Sequence, residues 1–599
     1  MFKRVLAYSV IALFIVGILI QLNSYLALVN IHYTPSVDEQ DTIITQPQQH
    51  YYHRDNTTLL SYMAILTVSG LLLLARSWIQ KARYRKAKLL GLLGFTKMSA
   101  WERWLRYEWQ LFSCVTFSLI DVFKVGSLIS INALLLFSTA TSTVPESDPH
   151  HAGFEEPNLY RQSLSHRAAQ LAVTNIAFSV LLSAKLSVIQ RYFFEINETI
   201  RWHAWFGRIA FFQVLYHASY QIQTNYTNQD RSIVAALTSN VRHTTGALML
   251  SALFLLLFGS HSLVRLISYR LFRITHLAAL AVLICSGCFH HWSFYVFYVM
   301  VLVFWVMDQI DRSYRTDMLV AEALPGDIVK IKCNIPYSMS AGLIPGQFVF
   351  ISLTPSTVAA TVYAHPFSIC RIDGNDSPKE EEEEEEEERV VNENEALARP
   401  VDRHYFTFYV KATGNRTKPL YDIAQSGSNM IKVRISKPLG RPYVTSAGAE
   451  YGDFDSVILV AEGMGITPWI SVLQYIEQKQ HAIKTKSVNL IWSIHSIDTF
   501  YAFEQELERF SDALQLDLSI KIYVTGLSDP EENYSIPNNL TYIKFKASGR
   551  PNYTALLQEL DQQGNTTAVG VCAHESTLVK LNNLCLSHSW AIRKERFEL

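Results

Sequence analysis

Apolar runs close to twenty residues long recur through the first half of the chain, at 5–22, 58–78, 110–136, 168–189, 203–221, 243–262, 274–290 and 292–308. A helix needs about twenty apolar residues to cross a bilayer, so this pattern predicts a bundle of membrane-spanning helices. The first run, behind Lys3 and Arg4, could be a cleaved signal, but it lacks a clear small-residue cleavage site and reads better as an anchor. Lys81, Arg83, Arg85, Lys86 and Lys88 follow the second run, Arg265, Arg270 and Arg273 the sixth, and Arg312 and Arg315 the eighth. Positive charge marks the cytosolic side, which leaves 23–57, 138–167 and 222–242 as outer loops. The sequons at Asn56 and Asn225 fall in two of those loops.

After about residue 315 the period shortens. Residues 327–335 alternate, 345–351 read as a turn and a strand, and 405–410 as a further strand, a pattern that predicts a small antiparallel barrel. Between them Glu380 to Glu388 form an unbroken acidic run, which repels itself and reads as a solvated surface loop. From 454 the texture changes again. Residues 456–461 form a buried strand, Gly463 to Pro468 a turn and Trp469 onward a helix, followed by strand-like 488–494, 518–524 and 569–573. Such alternation predicts a doubly wound parallel sheet, with glycine letting backbone approach a phosphate at a helix start.

Composition fits a half-membrane protein, with 49% hydrophobic and 18% charged residues over 599 positions. A net charge of −1 supplies no basic field, so no nucleic-acid partner is expected. None of the seven cysteines falls in an outer loop, and Cys285 and Cys288, despite CxxC spacing, read as small residues within an apolar helix. Asp121 and Lys124 in the third run are three apart, close enough to pair on one helix face.

Four histidines change the picture. His203 and His217 lie fourteen residues apart in one apolar run, and His276 and His290 fourteen apart in another. On a helix that spacing is about 21 Å and just under four turns, so each pair shares a face. Both runs point outward in the topology above, which sets His203 and His276 at an inner level and His217 and His290 at an outer one. Two stacked imidazole pairs suit two bis-histidine haems. His291 is the neighbouring alternative to His290, while His243 and His261 fall near span ends. Arg201, Arg208 and Arg273 lie where haem propionates would need cations.

These histidines, the His365-Pro366-Phe367-Ser368 element, the Gly463-Met-Gly465-Ile-Thr467-Pro turn and Gly549-Arg550-Pro551-Asn552-Tyr553 occur in one order. In that order, over roughly residues 165–599, the chain resembles the ferric reductase and NADPH oxidase superfamily, in its fungal ferric/cupric reductase branch. The resemblance implies a multi-span helical haem domain at 58–310 behind an N-terminal segment at 1–57. It also implies an FAD-binding β-barrel domain at 316–445, with the acidic insert at 376–400, and an NADPH-binding α/β domain at 454–599. It further implies electron flow from NADPH through FAD and two b-type haems to an external acceptor. His365, Pro366, Phe367 and Ser368 would hold the isoalloxazine of FAD. Gly463, Gly465 and Thr467 would meet the nucleotide, Arg550 its 2′-phosphate, Cys572 would lie near the nicotinamide, and Phe597 would stack on the flavin.

Three departures stand out. Lys437 to Tyr443 replaces the family's flavin pyrophosphate turn, leaving Arg441 to neutralise that charge. Glu462 stands where glycine is usual and adds negative charge beside the phosphates. His495 stands where arginine is common, which weakens selectivity for the 2′-phosphate. The resemblance leans toward reduction of ferric or cupric ions outside the cell, with superoxide formation from oxygen as the alternative and a non-enzymatic transporter or scaffold as a distant third. His150, His151, Glu155 and Glu156 form a polar outer loop that could attract metal. An integral, multi-pass protein of the plasma membrane is expected, in contact with lipid, with its nucleotide domains cytosolic and with room for an iron or copper transporter as partner.

Overall fold

The computed structural model describes residues 45–89, 99–111, 115–137, 156–184, 196–229, 232–238, 240–291, 293–311, 314–340, 343–352, 364–373, 404–414, 417–427, 429–440, 442–526, 543–547, 550–561 and 565–596. The first apolar run, the acidic run, the outer loop at His150–Glu155, Arg441 and Phe597 lie outside them.

The elements of the first half are α1 (Thr45–Leu89), α2 (Ala100–Arg106), β1 (Glu108–Leu111), β2 (Val115–Ser118), α3 (Leu119–Phe137), α4 (Glu156–Leu182), α5 (Ile196–Gln229), α6 (Val241–Gly259), α7 (Tyr269–His290) and α8 (Ser293–Asp311). Among the described helices, α3, α6 and α7 are long and apolar enough to cross a membrane. Side-chain caps mark several starts: Ser99 and Glu102 form a reciprocal box at α2, Asn240 caps α6 and Ser268 caps α7.

Three expectations need correcting. The run at 110–136 is not one span: its first part folds as the antiparallel hairpin β1–β2, and the helix begins at Leu119. The basic residues 81–88 do not form a loop but continue α1, and the sequons at Asn56 and Asn225 sit within α1 and α5. Helix propensity and i,i+4 satisfaction carry these helices past the ends of their apolar stretches. Asp121 accepts from Ser118 Oγ at 2.8 Å, while Lys124 lies 3.6 Å from Glu198.

The chain divides into two compact units. One contains residues up to 75, 123–188 and 196–308; the other contains 76–122, 189–195 and 309–599. In the first, α4 packs along α5 and α6 along α7. Its apolar centre includes Phe211, Met249, Leu253 and Leu283. Beside that centre four polar side chains from four helices close a network. Tyr62 donates to Asn175 at 2.7 Å, Asn175 Nδ2 reaches both Asn132 and Gln213, and Gln213 returns to Asn132 at 3.0 Å.

The second unit holds two large sheets. β3 (Tyr314–Leu324), β4 (Ile328–Ile335), β5 (Phe348–Ser352), β6 (His365–Ser368), β7 (Arg371–Asp373), β8 (His404–Lys411) and β9 (Asn429–Ile435) form an antiparallel sheet in the order β6-β5-β9-β3-β4-β8-β7. β10 (Ser456–Glu462), β11 (Ser487–Ile494), β12 (Asp517–Val524), β13 (Ile543–Ala547), β14 (Thr567–Cys572) and β15 (Ala591–Lys594) form a parallel sheet in the order β13-β12-β11-β10-β14-β15. β10 to β13 wind one way and β14 then returns to the other side of β10. The crevice at that reversal is where doubly wound folds bind ligands. The unbroken apolar run in β10 follows from burial on both faces: Val457 to Ala461 are all fully enclosed. This architecture, a helical membrane bundle followed by an antiparallel barrel-type sheet and a doubly wound sheet, is the fold class that the sequence predicts.

Candidate functional site

α5 and α7 present their histidines to one another. The rings of His203 and His276 lie 6.1 Å apart, centre to centre, tilted by 55°. Two metal–imidazole bonds of about 2 Å, plus the half-width of each ring, put ring centres roughly 6 Å apart. The inner pair therefore has the spacing to hold one iron between Nε2 atoms. His217 and His290 lie on the same two helices, α5 and α7, fourteen residues further along each.

All four histidines are anchored through Nδ1. That atom of His203 lies 2.7 Å from the Ser179 carbonyl and that of His217 3.0 Å from the Ser165 carbonyl. In His276 it contacts Ser260 Oγ at 3.0 Å, and in His290 the Arg242 carbonyl at 2.9 Å. With Nδ1 engaged, Nε2 is the atom left to bind a metal, an arrangement typical of metal-bound imidazole. His290 rather than His291 makes this inward contact, and His291 forms the cap that ends α7. Gly246 makes room for it, since a Cβ there would lie 3.0 Å from His290 Cε1. The set fits bis-histidine haem in donor chemistry, and its inner pair also fits in spacing. Ser165 and Ser179 escaped the sequence reading, yet they are themselves fourteen residues apart, matching His217 and His203 on the antiparallel neighbour. His261 instead caps the short helix after α6, and Arg208 stacks over Trp205.

In the antiparallel sheet, His365 to Ser368 form edge strand β6, paired only with β5 in the register Ile351 with His365 and Phe348 with Ser368. The edge tolerates Pro366, which has no N–H to give a ladder. His365 is exposed and Ser368 buried. Gly440, next to Arg441, has φ +99 and lies against the Phe348 ring. Gly346 N–H donates to Ser471 Oγ at 2.7 Å, tying this sheet to the helix after the glycine turn.

At the crevice, Gly463 adopts φ +55 and a short 3-10 turn leads into α9 (Thr467–Lys479), where Pro468 occupies the first turn. Gly465 and Cys572, remote in sequence, meet here: a Cβ on Gly465 would stand 2.4 Å from the Cys572 carbonyl oxygen. Burial pushes the Cys572 thiol well above its usual range, with Glu595 and Glu462 adding to the shift, so it stays protonated. Trp492 Nε1 donates to the Gly463 carbonyl at 2.8 Å and fixes the turn from behind.

The Glu462 carboxylate is held by three donors. It accepts from Tyr553 Oη at 3.0 Å, Thr577 Oγ1 at 2.9 Å and the His574 N–H at 2.8 Å. The last two belong to the start of α10 (Glu575–His588), whose helix dipole favours a negative charge. Tyr553 ends the Gly549–Tyr553 segment, so Glu462 links that segment to the glycine turn. Arg550 is exposed. His495 is held by Gly526, which donates its N–H to the His495 carbonyl at 3.0 Å.

Known proteins share both halves. Residues 168–288 match the family described as ferric reductase like transmembrane component, and 454–586 match the ferric reductase NAD binding domain. Ferric reduction oxidase 8, mitochondrial, of Arabidopsis thaliana is 22% identical over 60% of this chain and 46% of its own length. NADPH oxidase 1 of Mus musculus is 22% identical over 48% of this chain and 46% of its own length. Ferric/cupric reductase transmembrane component 2 of Saccharomyces cerevisiae is 20% identical over 77% of this chain and 64% of its own length. The chain thus spans about half the length of the first two relatives and somewhat more of the third.

Proposed function

We propose that the chain is a metalloreductase of the ferric reductase and NADPH oxidase superfamily, whose domain models match residues 168–288 and 454–586, carrying electrons from cytosolic NADPH across a plasma membrane to ferric or cupric ions. Its cofactors are those of the superfamily: NADPH, FAD and haem. Bound FAD converts a two-electron hydride donor into a source of single electrons, and haem carries those electrons one at a time.

The chain's residues have distinct tasks in this reading. His203 with His276, and His217 with His290, would hold one iron at each level. His365, Pro366, Phe367 and Ser368 seat the isoalloxazine, and Arg441 neutralises the FAD pyrophosphate. Gly463, Gly465 and Thr467 bring backbone and hydroxyl to the nicotinamide nucleotide, Arg550 meets the 2′-phosphate, Cys572 lines the nicotinamide side and Phe597 covers the flavin. A neutral, buried Cys572 adds bulk without charge there. The observation that carries the reading is the anchoring of four imidazoles through Nδ1, with the inner pair 6.1 Å apart.

Oxygen as acceptor is the second reading, favoured by the likeness to NADPH oxidase 1. One assay separates the two. Membranes containing the protein are given NADPH and a ferric chelate, with and without superoxide dismutase. Ferrous product that survives the dismutase supports metal reduction; product that vanishes makes oxygen the acceptor.

A further inference from the structure

The hairpin β1–β2 has no task in the electron path, yet it is bound to the helix α10 and to the edge strand β15 of the parallel sheet. The Glu108 N–H donates to Asn583 Oδ1 at 2.9 Å and Asn583 Nδ2 returns a bond to the Glu108 carbonyl, also at 2.9 Å. The Glu108 carboxylate pairs with Lys594 of β15, both side chains largely covered. Thr116 Oγ1 donates to Glu575 Oε1 at 2.7 Å, and the same carboxylate takes Arg596 at 2.8 Å. Trp109 and Phe117, directly opposite in the hairpin register, stack and stiffen it.

What these contacts hold is informative. Among the described residues β15 is the outermost strand and pairs with β14 alone, so one edge depends on side chains for its anchorage. α10 and β15 are the elements that follow Cys572. The first turn of α10 is also tied through Thr577 to Glu462, and so to the glycine turn. β2 runs into α3 with no intervening residue, and Ser118 caps the junction by donating to Asp121. A two-stranded ribbon this short is barely stable alone, so the hairpin owes its form to this docking.

Resting on the reading above, we propose that the β1–β2 hairpin is a positioning element. Through Glu108 and Thr116 it fixes α10 and β15, and thereby sets how NADPH seats at the crevice beside the Gly465–Cys572 contact. Glu108, Thr116, Asn583 and Lys594 are positioning residues that touch no cofactor.

The test uses the full-length membrane protein with Thr116→Val, Glu108→Lys, Lys594→Glu and the double exchange of the last two. KM for NADPH, kcat, haem absorbance, flavin content and deuterium uptake of 575–596 are measured. Each single change is expected to raise the KM about tenfold, a coupling that packed networks can carry, while kcat, haem and flavin stay near normal. Deuterium uptake at 591–596 should rise, and the double exchange should restore both readouts. Unchanged uptake and KM in the single variants overturn the proposal, as does a double exchange that restores neither. Thr116→Val removes a single hydroxyl and keeps the test decisive if a charge reversal misfolds. If the unaltered protein oxidises no NADPH, the functional reading fails, while deuterium uptake still decides whether the hairpin holds β15.

Discussion

The two units of this chain bury opposite things. In the parallel sheet, Leu459, Val460 and Trp492 are completely enclosed, and polar groups are mostly left at the rim. In the helical unit, Leu255 is 57% exposed and Phe258 60%, while Asn175 and Ser165 are fully enclosed. A water-soluble unit gains by removing apolar surface from water. A bundle in hydrocarbon gains nothing that way, so its interior is free for side chains that bond to one another, and its apolar surface meets lipid. The contrast explains why histidines, serines and asparagines can line the centre of the bundle, where the proposed redox site needs them, and why the glycine turn instead stands at the end of an apolar sheet.

The most severe way to probe the contrast is at the histidines. His217→Ala should remove about half of the haem absorbance, since one of two bis-histidine sites fails, and NADPH-driven reduction of an external chelate should fall to background. Spectra and assays on the same membranes check both. A charge on the outer apolar surface comes next. Leu255→Asp should cost about 3 kcal/mol in membrane insertion, read as loss of inserted protein; if it is tolerated, that surface does not face lipid. Within the bundle, Asn175→Leu leaves Tyr62, Asn132 and Gln213 short of partners and should cost about 2 kcal/mol, visible as a lower thermal midpoint in detergent.

Smaller effects follow at second contacts. Ser179→Ala keeps the carbonyl bond to His203 and loses the hydroxyl, so haem retention at the inner level should weaken by about tenfold, measured by haem transfer to an acceptor protein. In the soluble unit the mildest test is by pH. Burial alone would raise the Asp455 pKa, but hydrogen bonds from Thr566 and Lys484 outweigh it and hold the carboxyl at about 2. Its folded pKa is depressed, so its stabilisation is complete above the unfolded value near 4 and is lost as pH falls through about 2. Screening limits it to on the order of 1 kcal/mol, and Asp455→Asn should flatten the acid limb of the stability curve by that amount.

Much of the site was legible because it is local. Fourteen-residue histidine spacing is fixed by helix pitch, and a glycine turn between a buried strand and a helix is fixed by backbone sterics, so both could be read without a fold. Glu462 could not be judged in that way. Its three donors come from Tyr553, His574 and Thr577, about a hundred residues away. The span read at 110–136 failed for a related reason: residues 108–118 are apolar enough to pass for helix, and only docking against Asn583 and Glu575 makes them a hairpin.

From its sequence alone this protein was bound to have a membrane-spanning half, two helices each carrying histidines fourteen residues apart and a doubly wound sheet with a glycine turn, because periodicity and chain stiffness act over neighbouring residues. Tertiary structure alone decided which atom of each imidazole is tethered, where the Glu462 charge goes and what the segment before α3 becomes. Those outcomes depend on hydrogen-bond partners that only folding brings within 3 Å, and no pattern along one strand or helix encodes the identity of a distant partner.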